Sequence, residues 1–477
     1  MPDPSSPSDL LRRRIDAVLD TAPFLTDLGT AFRDAGHELA LVGGPVRDAL
    51  LGRPVSDWDL TTSATPDQVE VLVKPWAEAM WDMGREYGTI GFRHRGQDVE
   101  ITTYRSDEYD PSSRKPAVAF GDTLAGDLSR RDFTVNAMAV TIPDRELVDE
   151  FGGLPDLISG VLRTPVTAEQ SFGDDPLRMM RAARFSAQLG FAVSDDVRAA
   201  MVAMAARIEI VAAERVRVEI DKTVLAADPV AGLRLLVETG LAEQVLPELP
   251  ALILERDEHH RHKDVYEHSL IVLEQAIELE SRLESAPDLV IRLAALLHDI
   301  GKPKTRRFVD GGAVTFHHHD VVGAKLARKR MKALRYSNDV VDDVAKLIEL
   351  HLRFHGYGEG QWTDSAVRRY VRDAGDQLER LHILTRADCT TRNARKAARL
   401  QRTYDELEAR IAVLAEQEEL DSLRPDLDGT QIMEILGIGP GREVGEAYKF
   451  LLELRMDEGP QTEEAATAAL KKWAAAR

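Results

Sequence analysis

Asp57 and Asp59 stand one residue apart in LVGGPVRDALLGRPVSDWDL (residues 41–60). On a strand, residues i and i+2 face the same way, so the two carboxylates would project side by side. Unshielded, they repel each other. With Mg²⁺ between them they make an oxygen-ligand site suited to a nucleoside triphosphate. Gly43 and Gly44 come first, after an apolar strand and before a helix, where backbone N–H groups can approach a phosphate. Alone, Asp-x-Asp is ordinarily a solvated strand end and Gly-Gly a turn. Their succession in strand–turn–helix–strand order is what points to metal, phosphate and nucleotide.

Further along, DVEITTYR puts Asp98 and Glu100 on one strand face, and either can complete a three-carboxylate cluster. Such a cluster holds two Mg²⁺ ions, one for a 3′-hydroxyl and one for the triphosphate and leaving pyrophosphate. The segment RRDFTVNAMA (130–139) supplies Arg131 for phosphate, and on a helix it would bring Asp132 and Asn136 to one face. In DDPLRMMRAARF (174–185), Asp175, Arg178, Arg181 and Arg184 recur at spacing three. A carboxylate followed by guanidiniums along one stripe can match the Watson–Crick edge of C or A and hold its triphosphate. The plainer alternative is a surface salt bridge with solvated arginines.

A second group lies downstream: His268, the adjacent pair His298-Asp299 in LAALLHDIGK, His319 in HHDVVGA, His351, and Asp388 in TRADCTTRN. An adjacent His-Asp at the end of an apolar helix demands partners for two buried polar groups. Imidazole and carboxylate together suit a divalent metal. The expected set is His268, His298, Asp299 and Asp388, with His319 and His351 as further candidates.

The elements that would position these residues change along the chain. Residues 39–142 mix strands and helices: ELALV and DWDLTT are strands, VRDALLG starts a helix, and PDQVEVLV is a helix entered at Pro66. GTIGFRHRGQDVEITTYR reads as two strands around an Arg-Gly turn, and residues 107–122 as a polar loop containing Arg114. From about residue 160 the apolar spacing is helical. The 477 residues exceed one domain, and 44% apolar composition is enough to bury proper cores.

Cys389 is the single cysteine, which excludes a disulfide framework. The Pro/Ser-rich N-terminus lacks the apolar core of a secretory signal, and no apolar run is long enough for a membrane span. The expected compartment is the cytoplasm, with no membrane partner and no obligate protein partner. A net charge of −20 argues against nonspecific coating of nucleic acid. Residues 324–336 and 386–402 are nonetheless locally basic. Glycines in 428–451 offer backbone N–H groups to an RNA phosphate or, equally, form a loop between helices.

Taken in order, LVGGPVRDALLGRPVSDWDL, VEITTYR, RRDFTVNAMA, DDPLRMMRAARF and ERVRVEIDK resemble the successive motifs of class II tRNA nucleotidyltransferases, the CCA-adding enzymes of the polymerase-β superfamily. The His…His-Asp…Asp pattern resembles HD-superfamily phosphohydrolases. The resemblance implies an α+β fold: a polymerase-β-like nucleotidyltransferase head with a mixed sheet, followed by all-α neck, HD and tail domains. The implied ranges are 1–37 (tail and helix), 38–158 (head), 159–250 (neck), 251–402 (HD-type) and 403–477 (helical tail contacting tRNA).

It also implies tRNA, CTP and ATP as partners, with addition of C, C and A to tRNA 3′ ends. Asp57 and Asp59 would bind Mg²⁺, with Glu100 as third carboxylate. Gly43, Gly44, Arg47, Arg131 and Asn136 would contact the nucleotide, with Asp132 facing the ribose. Asp175 and Arg178 would read the base, with Arg181 and Arg184 on the triphosphate side. The template motif of that family commonly begins Glu-Asp; here it is Asp174-Asp175, and the base-reading aspartate remains. A full-length 107–122 loop favours complete CCA addition over the C-only pattern. The alternatives are a poly(A) polymerase or single-nucleotide adder, and a phosphohydrolase with an RNA-binding head.

Overall fold

The computed structural model describes residues 7–55, 57–108, 117–121, 123–253, 264–309, 313–357, 362–390, 393–422, 424–458 and 461–475. The chain forms two compact units, one of residues 1–351 with 379–390 and one of 352–378 with 391–477. Segment 352–378, inside the range expected for the HD-type domain, packs with the tail in the second unit.

The first unit opens on a seven-stranded sheet of order β3-β4-β5-β2-β1-β8-β9. Its strands are β1 (Leu39–Val42), β2 (Trp58–Thr62), β3 (Ala79–Trp81), β4 (Thr89–His94), β5 (Gln97–Thr103), β8 (Ala139–Thr141) and β9 (Leu147–Val148). Every residue of β1 is buried, as its unbroken apolar run requires of a central strand. The β2–β5 pair is parallel and the others antiparallel, so the sheet is mixed. The expected Arg-Gly turn joins β4 to β5, with Arg95 and Gly96 both at positive φ, as a two-residue hairpin needs.

Gly43 adopts φ 74°, ψ −133°, a conformation restricted to glycine, and releases the chain from β1 into the helix Gly44–Leu51. Pro45 sits in that helix's first turn and Gly52 closes it in the left-handed region. Thr65 and Gln68 form a capping box on the helix Pro66–Val73.

Two expectations differ from the structure. The 107–122 region is not simply a loop: its flanks form an antiparallel ribbon of β6 (Arg105–Glu108) and β7 (Ala117–Phe120). Arg114 lies outside the described residues. Asp132 and Asn136 do not share an α-helix, because the helix Leu124–Ser129 has already ended and only a 3₁₀ turn spans Thr134–Asn136. That turn still brings them together, as the Asn136 side-chain amide donates to Asp132 Oδ1 at 3.0 Å.

Beyond residue 160 the first unit is helical apart from two small pairs: β10 (Val161–Leu162) with β11 (Ala192–Val193), and β12 (Arg307–Val309) with β13 (Ala313–Thr315). In the second unit the helix Ala394–Ser422 precedes three tail helices, whose core is Leu427, Ile432, Ala447, Leu451, Ala466 and Leu470. Among the described residues, no helix is long and apolar enough to cross a membrane.

Candidate active site and metal cluster

Register decides which carboxylate joins the Asp-x-Asp pair. On the parallel rung β2–β5, Asp59 pairs with Glu100. Asp98 is turned to an ion pair with Arg93 at 2.6 Å. Asp59 opens onto a cavity but is walled by protein. Partial desolvation and the charges of Glu100 and Asp57 push its pKa up, against the pull of Arg131. That crowding of negative charge is what a divalent cation relieves, so these residues fit Mg²⁺.

The cavity, of about 770 Å³, is lined by Gly43, Gly44, Asp57, Asp59 and, across from them, by Asp175, Arg178, Arg181 and Arg184. Eight Arg and Lys side chains against five aspartates line it, so the site is basic within an acidic chain. It has the size of a nucleotide pocket and the charge for a triphosphate.

Hydrogen bonds stitch its wall together. Arg47 Nη1 donates to Asn136 Oδ1 at 2.7 Å, Asn136 holds Asp132 Oδ1, and Asp132 Oδ2 pairs with Arg181 at 2.6 Å. Burial opposes the Asp132 charge, but Arg181, the Asn136 amide and the Phe133 N–H outweigh it and bring its pKa down to about 2. Arg178 donates to Ser171 Oγ at 2.8 Å and to the Arg130 carbonyl at 2.5 Å. Asp175 precedes the helix Leu177–Leu189; its Oδ1 accepts from the Leu177 N–H and its Oδ2 pairs with Arg215 at 2.9 Å. Arg184 pairs with buried Glu219 at 3.3 Å and lies 4.3 Å from the Phe185 ring centroid.

The head and neck candidates thus line one cavity, except Glu100, which stands on the rung of Asp59, and Asp98, which is turned away. Sequence reasoning missed Arg105, Arg130 and Lys222 in the lining, Arg215 behind Asp175, and Phe185, which stacks under three guanidiniums. Arg130 was the most accessible of these, being the other half of the Arg-Arg pair.

The second group converges as well, and all six candidates come together. One triad is His268, His298 and Asp388; the other is Asp299, His319 and His351. They arrive from the helix Val265–Leu279, the end of Leu289–Leu297, the start of His319–Ala333, the end of Asn338–Leu350, and the turn after Leu378–Ala387. Close packing locks the middle of the set: a Cβ on Gly301 would fall 2.0 Å from the His319 carbonyl oxygen.

His298, His319 and His351 each place Nδ1 2.6–2.8 Å from the backbone carbonyl three residues earlier. An Nδ1–H donated to a carbonyl leaves Nε2 as a lone pair. The inward-facing His298 Nε2, His319 Nε2 and Asp299 Oδ1 are buried and make no well-formed hydrogen bond among the described residues, although both Nε2 atoms crowd to 3.3 Å from the Asp299 carboxylate. Burial holds the His351 pKa down at about 4, so its ring is neutral at pH 7. His268 Nε2 lies 2.9 Å from Asp388 Oδ1, and Lys302, unremarked in the sequence, reaches Asp299 Oδ2 at 2.6 Å. This donor set fits a divalent metal.

Residues 39–163 match the family described as the poly A polymerase head domain. Residues 190–252 match that of a probable RNA and SrmB-binding site of polymerase A, and 265–393 the HD domain. An A-adding tRNA nucleotidyltransferase from Deinococcus radiodurans is 33% identical over 442 residues, 91% of this chain and 95% of that protein. The chain belongs to the tRNA nucleotidyltransferase family. A CCA-adding enzyme from Leuconostoc mesenteroides is 42% identical over 233 residues, 49% of this chain and 55% of that one. The chain spans about half the length of the CCA-adding relatives at the top of that comparison. Among solved tRNA nucleotidyltransferase structures, the Bacillus stearothermophilus CCA-adding enzyme in complex with CTP is 25% identical with a TM-score of 0.57, covering 96% of this chain and 98% of that one.

Proposed function

We propose that this chain adds C, C and A to tRNA 3′ ends from CTP and ATP, without a nucleic-acid template. The observation that carries the reading is the single basic cavity with the carboxylates of Asp57 and Asp59 on one wall and Asp175 with Arg178 on the other. The first wall suits phosphoryl chemistry and the second the edge of a base. In the reaction the tRNA 3′-oxygen bonds to the α-phosphorus, the bond to the β-phosphate oxygen breaks, and pyrophosphate leaves. Mg²⁺ held by Asp57, Asp59 and Glu100 would supply the Lewis acidity for both oxygens. Arg131, Arg181 and Arg184 offset the triphosphate charge, and Asp132 fixes Arg181 while facing the ribose.

A second reading is A-only addition. Its support is the Deinococcus relative, which matches nearly end to end and is an A-adding enzyme. One assay separates the readings: tRNA lacking CCA, and tRNA ending in CC, are each supplied with CTP alone, ATP alone, or both. Two C additions followed by a single A support CCA addition. Addition of A only to tRNA already ending in CC supports the second reading. Long A tails would overturn both.

For the His/Asp cluster we infer a phosphohydrolase centre. The inward-facing Nε2 atoms and the buried Asp299 support divalent metal binding there, and the metal would supply Lewis acidity toward a phosphate ester. Lys302 adds a cation at its rim.

A further inference from the structure

The chain leaves the His298-Asp299 pair through Gly301–Thr305, enters the ribbon β12–β13, and returns to His319. Both roots of this ribbon touch the metal cluster. On the outgoing side Lys302 Nζ is 2.6 Å from Asp299 Oδ2 and 5.7 Å from the Phe316 ring centroid. On the returning side the Phe316 carbonyl lies 2.8 Å from His319 Nδ1.

Between the roots, Phe308 pairs with Val314 across the ribbon and is 70% exposed. The Arg306 guanidinium lies 4.8 Å from its ring centroid. A single exposed apolar side chain needs no explanation. This one sits two residues beyond Arg306 and opposite a residue two short of Phe316, on the order of 7 Å of strand from the root that holds the cluster. Lys304 is exposed at the outgoing root of the ribbon and makes no ion pair among the described residues.

An aromatic face backed by a guanidinium is a stacking platform for a nucleobase. Lys302 and the cluster need one phosphate ester, so Lys304 is surplus to a lone nucleotide and suits the next phosphate of a strand. We propose that the ribbon β12–β13 is the RNA-binding element of the His/Asp centre. Phe308 stacks on the base of a strand's terminal nucleotide, whose phosphate ester lies at Lys302 and the cluster, and Lys304 takes the preceding phosphate. This rests on the reading of the cluster as a phosphohydrolase centre.

The test uses full-length, Mn²⁺-loaded protein and fluorescence anisotropy with a 5′-labelled ribotrinucleotide ending in a 3′-phosphorothioate. Phe308→Ala weakens binding by roughly 5- to 150-fold, the range of one lost base stack, and Phe308→Trp restores it. Melting temperature and bound metal, measured on each variant, exclude misfolding as the cause. Unchanged binding in Phe308→Ala, or an equal loss for the same trinucleotide ending in a 3′-hydroxyl, overturns the proposal. A mononucleoside 3′-phosphorothioate that binds as tightly as the trinucleotide overturns the strand assignment in favour of a free nucleotide. The centre itself is judged separately: if wild-type protein with Mg²⁺, Mn²⁺ or Ni²⁺ hydrolyses neither 3′-phosphorylated RNA nor bis(p-nitrophenyl) phosphate, the phosphohydrolase reading fails, and the binding data still decide the role of Phe308.

Discussion

Asp59 and Glu100 share one rung of the parallel pair β2–β5. Two strands distant in sequence therefore bring their carboxylates together, and burial with the charges of Glu100 and Asp57 raises the Asp59 pKa against the pull of Arg131. A group whose folded pKa is raised holds its proton more tightly when folded, so it costs stability at pH 7 and that cost is relieved as pH falls through the folded value. Asp59→Asn removes the cost permanently. The metal-free variant should melt higher than wild type, gain less from added Mg²⁺, and lose nucleotide addition by about 10²- to 10⁴-fold. Differential scanning fluorimetry with and without Mg²⁺, beside a CMP-incorporation assay, checks all three. A variant that melts lower without metal would contradict the assigned crowding.

Asp175 performs two tasks with its two oxygens: Oδ1 accepts from the Leu177 N–H and Oδ2 meets Arg215. Asp175→Ala would remove both and cost about 1 kcal/mol for the lost hydrogen bond, blurring the result. Asp175→Asn is the sharper probe, since its oxygen can keep the bond to Leu177 while its amide presents donors where the carboxylate accepted. Discrimination of CTP over UTP should fall by roughly 5- to 150-fold in kcat/KM, with the larger part in base choice rather than triphosphate affinity. Unchanged discrimination removes Asp175 from the base-reading role.

Much of this arrangement was legible because it rests on short-range periodicity. The period of two placed Asp57 with Asp59, and spacing three placed Asp175, Arg178, Arg181 and Arg184 along one side of a helix and its approach. Periodicity is silent about partners from other elements. It offered Asp98 and Glu100 as equals, and only the β4–β5 and β2–β5 registers separate them. It made RRDFTVNA a helix because it cannot foresee that Asn136 completes a 3₁₀ turn between Arg47 and Asp132. His319 and His351 are only further candidates in the sequence, because local spacing does not say which helix ends converge on His298-Asp299, and that convergence is a tertiary fact. Lys302 and Phe308 had no periodic signal at all.

In the His/Asp cluster, protons and a bound metal would compete for the same atoms. Burial works against a charge on His298, but Asp299 outweighs it and raises the His298 pKa above 6.5, while His351 stays neutral down to about 4. Acidification from pH 8 to pH 6 should therefore weaken metal affinity through uptake of a proton at His298, with His351 contributing nothing over that range. Competition titrations against a chelator at several pH values measure this. Affinity independent of pH across that window would exclude His298 as a ligand. His351→Ala, at the second triad, should lower the metal content of the purified protein without removing the metal held by His268, His298 and Asp388.

The Asp132–Arg181 pair ties the turn after the helix Leu124–Ser129 to the helix Leu177–Leu189 at 2.6 Å, and both its partners line the basic cavity. Its contribution to stability has a defined sign. With a folded pKa of about 2 against an unfolded value near 3.8, the Asp132 charge stabilises the fold above the unfolded value, and that contribution is lost as pH falls through about 2. At neutral pH it amounts to about 2 kcal/mol. Asp132→Asn forfeits this and leaves Arg181 without its counter-charge, so urea unfolding at pH 7 should show a deficit of at least that size, shrinking as the pH is lowered below 4. Nucleotide addition should suffer chiefly through KM for CTP and ATP, because a released Arg181 no longer holds one position beside the triphosphate. Addition of Arg181→Gln to Asp132→Asn should recover part of the stability, since the pair then leaves no unpaired charge, but should not recover the affinity for nucleotide. If the double variant were less stable than the single by the full cost of a second independent loss, the two side chains would not be coupled as the geometry requires.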